Sequence, residues 1–238
     1  MNKTPSQLLD ETRRPEPPYR RIVAADGTAG TAEEDLPSPL VDLLASPEKL
    51  WRPAGDVLKP GSRSTVTRTT VDGTDYVIKQ YKAMPFHRRV RYALTRSRAR
   101  QSWQNGQVMA RLGIPVVRPL ALLEESSLGI PARAILIMPY QAGDFLSEAH
   151  APGIAGVATA LHEVFALMRR HRITHGDLKA TNIIIDETGA PHFIDLDATL
   201  IHTSEQAFAR ARAKDEARFR RNWEDGSPLA EALAGVFD

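Results

Sequence analysis

The chain has no cysteine, which excludes a disulfide framework and any thiolate metal site and fits a reducing compartment. No uninterrupted apolar run comes near the roughly 18 residues that a membrane-crossing helix needs. The opening MNKTPSQLLDETRRPEP has no apolar core of a secretory signal, so the expected location is the cytoplasm. Aromatic residues are only 6% of the chain. Acids are missing from one long stretch: Lys79 to Arg118 holds ten Lys/Arg and no Asp or Glu. With a net charge of +2, the remaining residues carry 2 − 10 = −8, so the near-neutral balance hides a separation of charge.

What is present is ordinary for a folded protein. The 238 residues are 42% hydrophobic and 25% charged, which excludes wholesale disorder and allows one large domain or two smaller ones. The densest basic run, HRRVRYALTRSRAR from His87 to Arg100, suits a phosphate-rich partner: nucleic acid, anionic lipid headgroups or a phosphorylated glycan. A solvated basic helix face is the plainer reading. Aromatics for base stacking are scarce there, with Phe86, Tyr92 and Trp103 alone nearby, which disfavours nucleic acid.

Residues 1–50 mix Pro15, Pro17 and Pro18 with ADGTAGTAEED and read as a flexible or accessory segment. Within it YRRIV (Tyr19 to Val23) is a candidate strand and Pro39 to Trp51 a short helix. From Val57 the pattern is strand-like, with Asp72 and Gly73 as a hairpin turn before TDYVIKQY. The segment QSWQNGQVMARLG predicts a helix closed by Gly113. VVRPLALLE and ARAILIMPY follow as apolar strands. Ile154, Val157, Leu161, Val164, Phe165 and Met168 then recur at helical spacing, predicting an amphipathic helix to about His171. NIIID and PHFID are two further strands around Gly189, and a last helix starts near Thr203, with Gln206 placed for a capping box.

The segment HGDLKATN, His175 to Asn182, matches the protein-kinase catalytic loop, in which a base Asp precedes a metal-binding Asn by five residues. Asp177 and Asn182 have that spacing. Phosphoryl transfer needs a carboxylate at the attacking hydroxyl and an oxygen ligand on magnesium nearby, and one short loop can hold both. FIDLD then offers Asp195 at the end of an apolar strand as a second metal ligand, with Asp197 as an extra candidate. Upstream, Lys79 in VIK lies late in a strand, where a phosphate-contacting lysine belongs. Lys179 is placed to neutralise charge on the transferred group. His171 and His175 also have the i, i+4 spacing of a metal pair, but no third ligand is in register, which disfavours zinc.

At these residues the sequence resembles the lipopolysaccharide kinase (Kdo/WaaP) family, kinase-like enzymes of Gram-negative bacteria that phosphorylate sugars of the lipopolysaccharide inner core. VLKPGSRSTV, YVIKQYK, SRARQSW, LGIPVVRPLALLE, HGDLKATNIIID and FIDLDAT carry the likeness, over about Asp56 to Thr199. The resemblance implies an α+β, two-lobed protein-kinase-like fold: a small antiparallel-sheet N-lobe over 51–138 and a reduced helical C-lobe over 139–238. It implies ATP and Mg2+, with Lys79 on the ATP phosphates, Asp177 as base, and Asn182 and Asp195 on the metal. Backbone groups around Met138 to Tyr140 would meet adenine. No Ala-Pro-Glu segment follows Asp195, which points to a small acceptor, a sugar or glycolipid. Arg88, Arg89, Arg91, Arg96, Arg98 and Arg100 would meet its phosphates or the anionic inner face of the inner membrane.

The sequence departs from the family pattern twice. Gly61 is the only glycine of KPGSRS, so Ser62, Ser64 and backbone amides would hold the phosphates. The resemblance implies a glutamate, paired with the strand lysine, in the helix before LGIP, where this chain has Ser102. These departures keep open a nucleotide-binding pseudokinase, and the His-Gly-Asp start keeps open a RIO-type atypical kinase acting near nucleic acid.

Overall fold

The computed structural model describes residues 3–14, 16–24, 26–52, 55–82, 97–127, 130–146 and 153–238. The chain divides into two compact units, Leu9–Gln107 with Arg118–Tyr140, and Met1–Leu8 with Val108–Val117 and Gln141–Asp238.

The first unit is built on β1 (Tyr19–Val23), β2 (Ala29–Glu33), β3 (Asp56–Lys59), β4 (Ser64–Val71), β5 (Thr74–Tyr81), β6 (Ala121–Ser127) and β7 (Ile130–Pro139). They form one seven-stranded sheet in the order β1-β2-β6-β7-β5-β4-β3, with every neighbouring pair antiparallel. β4 and β5 are joined by Asp72 and Gly73, both at positive φ (49° and 74°), as the hairpin signal required. The strands alternate between two apolar layers. On one face Ile78, Leu123, Ile135 and Ile137 pack with Leu40 and Leu44 of a helix over Ser38–Ala45 and with Leu50. On the other, Tyr81, Leu122 and Leu136 pack with Tyr19, Ala99 and Trp103. Burying each such Leu or Ile contributes about 1.5–3 kcal/mol.

Residues 1–50 were expected to be flexible or accessory, yet from Tyr19 onward they belong to this sheet and its cover. The strand AGTAE has no apolar alternation to announce it, because close approach of backbones placed it there. A Cβ on Gly30 would come within 1.9 Å of the Leu122 carbonyl oxygen, and Ala32 is wholly buried. Small residues are what the pairing of β2 with β6 needs.

Before the second unit takes shape come α1 (Pro5–Glu11), α2 (Ser38–Ala45), α3 (Pro47–Trp51) and α4 (Arg98–Arg111). The second unit is centred on α5 (Ile154–Arg170), whose buried face is Val157, Leu161, Val164, Phe165 and Met168, the stripe read from the sequence. Phe165 stacks on Phe237 at 4.4 Å and meets Phe193 and Phe219 edge-on, contacts that add about 0.5–1.5 kcal/mol each. Short strands complete it: β8 (Asp144–Phe145), β10 (Ile183–Ile185) and β11 (Pro191–Phe193) in one sheet, β9 (Ile173–Thr174) and β12 (Leu200–Ile201) in another. The last helices are α6 (Glu205–Arg220) and α7 (Pro228–Ala232). Ser204 caps α6 by accepting the Ala207 N–H, so the cap is one residue beyond Thr203 and uses no Gln206 box.

Candidate active site

The loop between β9 and β10 carries the charged cluster. Its backbone leaves β9 at His175, runs through Asp177 and Lys179, and closes in a single 3-10 turn over Ala180–Asn182. The turn folds Asn182 back onto Asp177: its Nδ2 donates to the Asp177 carbonyl at 2.9 Å and to Asp177 Oδ2 at 3.2 Å. Lys179 Nζ lies 3.3 Å from the same Oδ2. Oδ1 of Asp177 pairs with the guanidinium of Arg218 from α6. The structure thus brings together Asp177, Lys179 and Asn182, and adds an arginine that the sequence reading missed.

Asp195 enters through strand pairing. Ile183 faces Phe193 in the β10–β11 pair, and the Ile194 N–H donates to the Asn182 carbonyl at 3.0 Å. Val116 bridges Phe193 from the other side, so both edges of β11 are held. Asp195 follows at φ 62°, ψ 54°, a left-handed conformation that a non-glycine residue adopts at a cost and that turns the chain sharply out of the strand. Asp197 is buried.

Behind the cluster lies a buried scaffold. His175 is wholly buried; its Nε2 is 3.0 Å from the Ile194 carbonyl, which makes Nε2 the protonated nitrogen. Burial pushes its basicity down, against the opposing pull of the Ile194 carbonyl and of Asp195 and Asp177. Asp215 of α6 accepts the N–H groups of His175 at 2.7 Å and Gly176 at 2.9 Å. Burial raises its carboxyl to about 6, with the two N–H bonds pulling the other way. Asn222, just past α6, accepts the Ala180 N–H at 3.1 Å, and Thr199 donates to the His175 carbonyl at 3.3 Å.

Asp215, Arg218 and Asn222 share one face of α6 and its extension, at i, i+3 and i+7. That spacing is the signal available in the sequence. Asp215 and Arg218 lie in EQAFARARAKDEARFR, with Asn222 two residues past its end, and charged residues at every turn disguise the pattern as a solvated helix.

In the sheet unit, Lys79 is buried on β5 opposite Leu136 of β7, its Nζ 5.0 Å from the centre of the Tyr81 ring. Ser64 opens β4, and the Gly61 carbonyl accepts Lys82 Nζ at 2.7 Å; Ser62 is exposed. Met138 faces Val77 within the sheet. The Tyr140 N–H donates to the Asp75 carbonyl at 3.0 Å, and Arg68 lies 4.1 Å above the Tyr140 ring while bonded to Asp75. Ser102 is buried on α4, a helix without an acid. The buried carboxylate of Glu124 on β6 binds Ser97 and Arg100, so Arg100, expected at a membrane surface, is tied to an acid. Arg88, Arg89, Arg91 and Arg96 lie outside the described residues; Arg98 opens α4.

The donor set fits a magnesium ion. Because the Asn182 amide NH2 faces Asp177, its carbonyl oxygen is the atom available for a cation, and with the Asp195 carboxylate it offers the hard oxygen ligands that Mg2+ prefers. Among the described residues no group of three His, Cys, Asp or Glu could hold a metal unaided. An ion here would take most of its ligands from phosphates and water.

A search of curated proteins gives no match. A solved structure described as WaaP in complex with acyl carrier protein is similar at a TM-score of 0.61 and 16% identity, over 92% of this chain and 88% of that chain; the likeness shows a shared kinase-like fold of helices and antiparallel sheet. The model of the lipopolysaccharide kinase (Kdo/WaaP) family matches residues 49–232, a span that contains the Asp177 cluster and its scaffold. The chain therefore belongs to the lipopolysaccharide kinase (Kdo/WaaP) family and is a kinase.

Proposed function

We propose that this kinase transfers the γ-phosphoryl group of ATP to a sugar hydroxyl of the lipopolysaccharide inner core, with Asp177 as its base. The observation that carries the reading is the Asp177–Asn182 contact, in which the Asn182 amide NH2 donates to the carboxylate and leaves the amide oxygen for a cation, with Lys179 at the same carboxylate. Asp177 takes the proton of the attacking hydroxyl as the new oxygen–phosphorus bond forms and the bond to the β-phosphate oxygen breaks, releasing ADP. Lys179 offsets charge on the group in transit. Lys79 contacts the phosphates of ATP, assisted by Ser62, Ser64 and the backbone at Gly61, and the segment from Met138 to Tyr140 meets adenine. When bound, Mg2+ would neutralise phosphate charge, held by Asn182 and Asp195.

The acceptor reading rests on family membership and on the basic stretch from Lys79 to Arg118, which suits a phosphorylated glycolipid at the cytoplasmic face of the inner membrane. No described helix is long and apolar enough to cross a membrane, in keeping with a peripheral position there. In this reading residues 51–138 form the nucleotide-binding lobe and 139–238 the catalytic lobe. The test is to incubate the purified protein with radiolabelled ATP, MgCl2 and a panel of lipopolysaccharide precursors, and to locate the label. Transfer to a core sugar that falls about a hundredfold or more in Asp177→Ala supports the proposal; transfer that survives this substitution unchanged sinks it.

A further inference from the structure

The Asp177 carboxylate has contacts on both oxygens, and they are not evenly shared. Oδ2 receives Asn182 Nδ2 at 3.2 Å and Lys179 Nζ at 3.3 Å, whereas Oδ1 receives the Arg218 guanidinium. Each carboxylate oxygen offers about two lone pairs; among the described residues Oδ2 has two N–H neighbours and Oδ1 one, so the less crowded acceptor position is on Oδ1, beside Arg218. A hydroxyl that gives its proton to Asp177 there must sit next to the arginine. Arg218 is 43% exposed. A guanidinium carries about five N–H donors in a rigid fork, more than the contact with Asp177 uses, and the side chain is partly open to solvent.

We propose that Arg218 is the acceptor-selecting residue of this site: it binds an anionic oxygen, carboxylate or phosphate, on the sugar carbon next to the hydroxyl that is phosphorylated. The inference rests on the kinase reading given above. The fork matches two oxygens of one anionic group side by side, which an ammonium does not. Lys179 does not compete for this role, because its contact is on the opposite carboxylate oxygen. Arg220, on the same helix, is held elsewhere: it binds Glu216 at 2.9 Å and the Ala234 carbonyl at 3.1 Å.

Three deacylated core oligosaccharides serve as acceptors: intact, enzymatically dephosphorylated and carboxyl-reduced. Initial rates give the acceptor KM and kcat for the wild type and for R218Q, R218K and R220Q. The wild type loses at least tenfold in kcat/KM on whichever anion is removed, and the arm that shows the loss tells phosphate from carboxylate. R218Q raises the intact acceptor's KM at least tenfold more than the KM for ATP, and no longer distinguishes the stripped sugar from the intact one. R218K recovers part of the affinity, and R220Q stays within twofold of the wild type. Thermal unfolding confirms that each variant is folded, and R218K keeps the test open should R218Q lose its structure. An acceptor KM within twofold in R218Q, or undiminished discrimination, overturns the role of Arg218. Failure of the wild type to transfer phosphate to any of the three overturns the core-sugar acceptor reading and this inference together.

Discussion

Both carboxylate oxygens of Asp215 lie on the N–H of Gly176, at 2.9 and 3.2 Å, one residue before Asp177. A buried acid on α6 therefore sets the height of the loop that carries the base, and the same carboxylate also accepts the His175 N–H. Asp215→Ala removes the acceptor from two buried amides and is expected to cost about 2–4 kcal/mol.

The pH dependence of stability isolates the same group. Burial raises the Asp215 carboxyl from the ordinary 3.8 to about 6, so between those values the folded chain holds more protons than the unfolded one. Stability contributed by this group is then full below about pH 4 and declines as pH rises to about 6. At about 1.4 kcal/mol per pH unit of displacement the decline is about 3 kcal/mol at most. Urea unfolding of the wild type and Asp215→Asn across this range should show the two curves converging in favour of the variant as pH rises. Parallel curves would mean that the carboxylate is not held as described.

His175 gives the opposite slope. Its basicity is pushed down by burial, so on acidification the unfolded chain takes up a proton near pH 6.5 that the folded chain refuses. Stability from a neutral His175 is present above pH 6.5 and is lost as pH falls below it. Comparing Asp215→Asn with the double variant Asp215→Asn/His175→Gln, which removes the opposing group, should show a larger acid-side loss where His175 remains; His171 and His202, also pushed down by burial, contribute equally to both. Turnover should also fall in His175→Gln, because the bond to the Ile194 carbonyl fixes the strand end from which Asp195 turns.

The parts of this site that were legible in the sequence are the parts whose geometry is local. Asp177 and Asn182 meet because a single 3-10 turn joins them, and five residues suffice to encode that. α5 was legible because one apolar stripe serves one core. β2 was not, since what fixes it is the close approach of Gly30 to Leu122, a fact about a partner strand far along the chain. The capping of α6 by Ser204 and not Thr203 is a matter of one dihedral. Asp215, Arg218 and Asn222 escaped for a different reason: charged and polar side chains on a charged helix look solvated until a loop from elsewhere is seen to pack against them.

Gly176 illustrates a constraint that a sequence reading passes over. It has φ 78°, and a Cβ there would lie 2.3 Å from the Ala198 carbonyl oxygen. Gly73 has nearly the same backbone, φ 74°, with nothing within 4 Å of the added carbon. Gly73→Ala should cost about 1–2 kcal/mol, the left-handed penalty alone, and leave turnover intact. Gly176→Ala carries that penalty plus a backbone collision and should lose at least about 2 kcal/mol more, with turnover falling because Asp177 is displaced. Equal costs at the two positions would show that the loop has room to move away from Ala198.

Asn222 separates two functions that one side chain performs. Its Oδ1 accepts the Ala180 N–H at 3.1 Å, while its Nδ2 donates to the Phe219 carbonyl at 2.7 Å and the Arg218 carbonyl at 3.3 Å. The first contact holds the turn that positions Asn182; the second closes the end of α6, next to Arg218. Asn222→Ala loses both and should destabilise by about 1–2 kcal/mol while lowering turnover. Asn222→Asp keeps the acceptor for Ala180 and loses the donors, so it should retain most of the turnover and pay chiefly in stability. If the aspartate variant is as impaired in turnover as the alanine variant, the helix end and not the Ala180 contact is what transmits Asn222 to the catalytic loop.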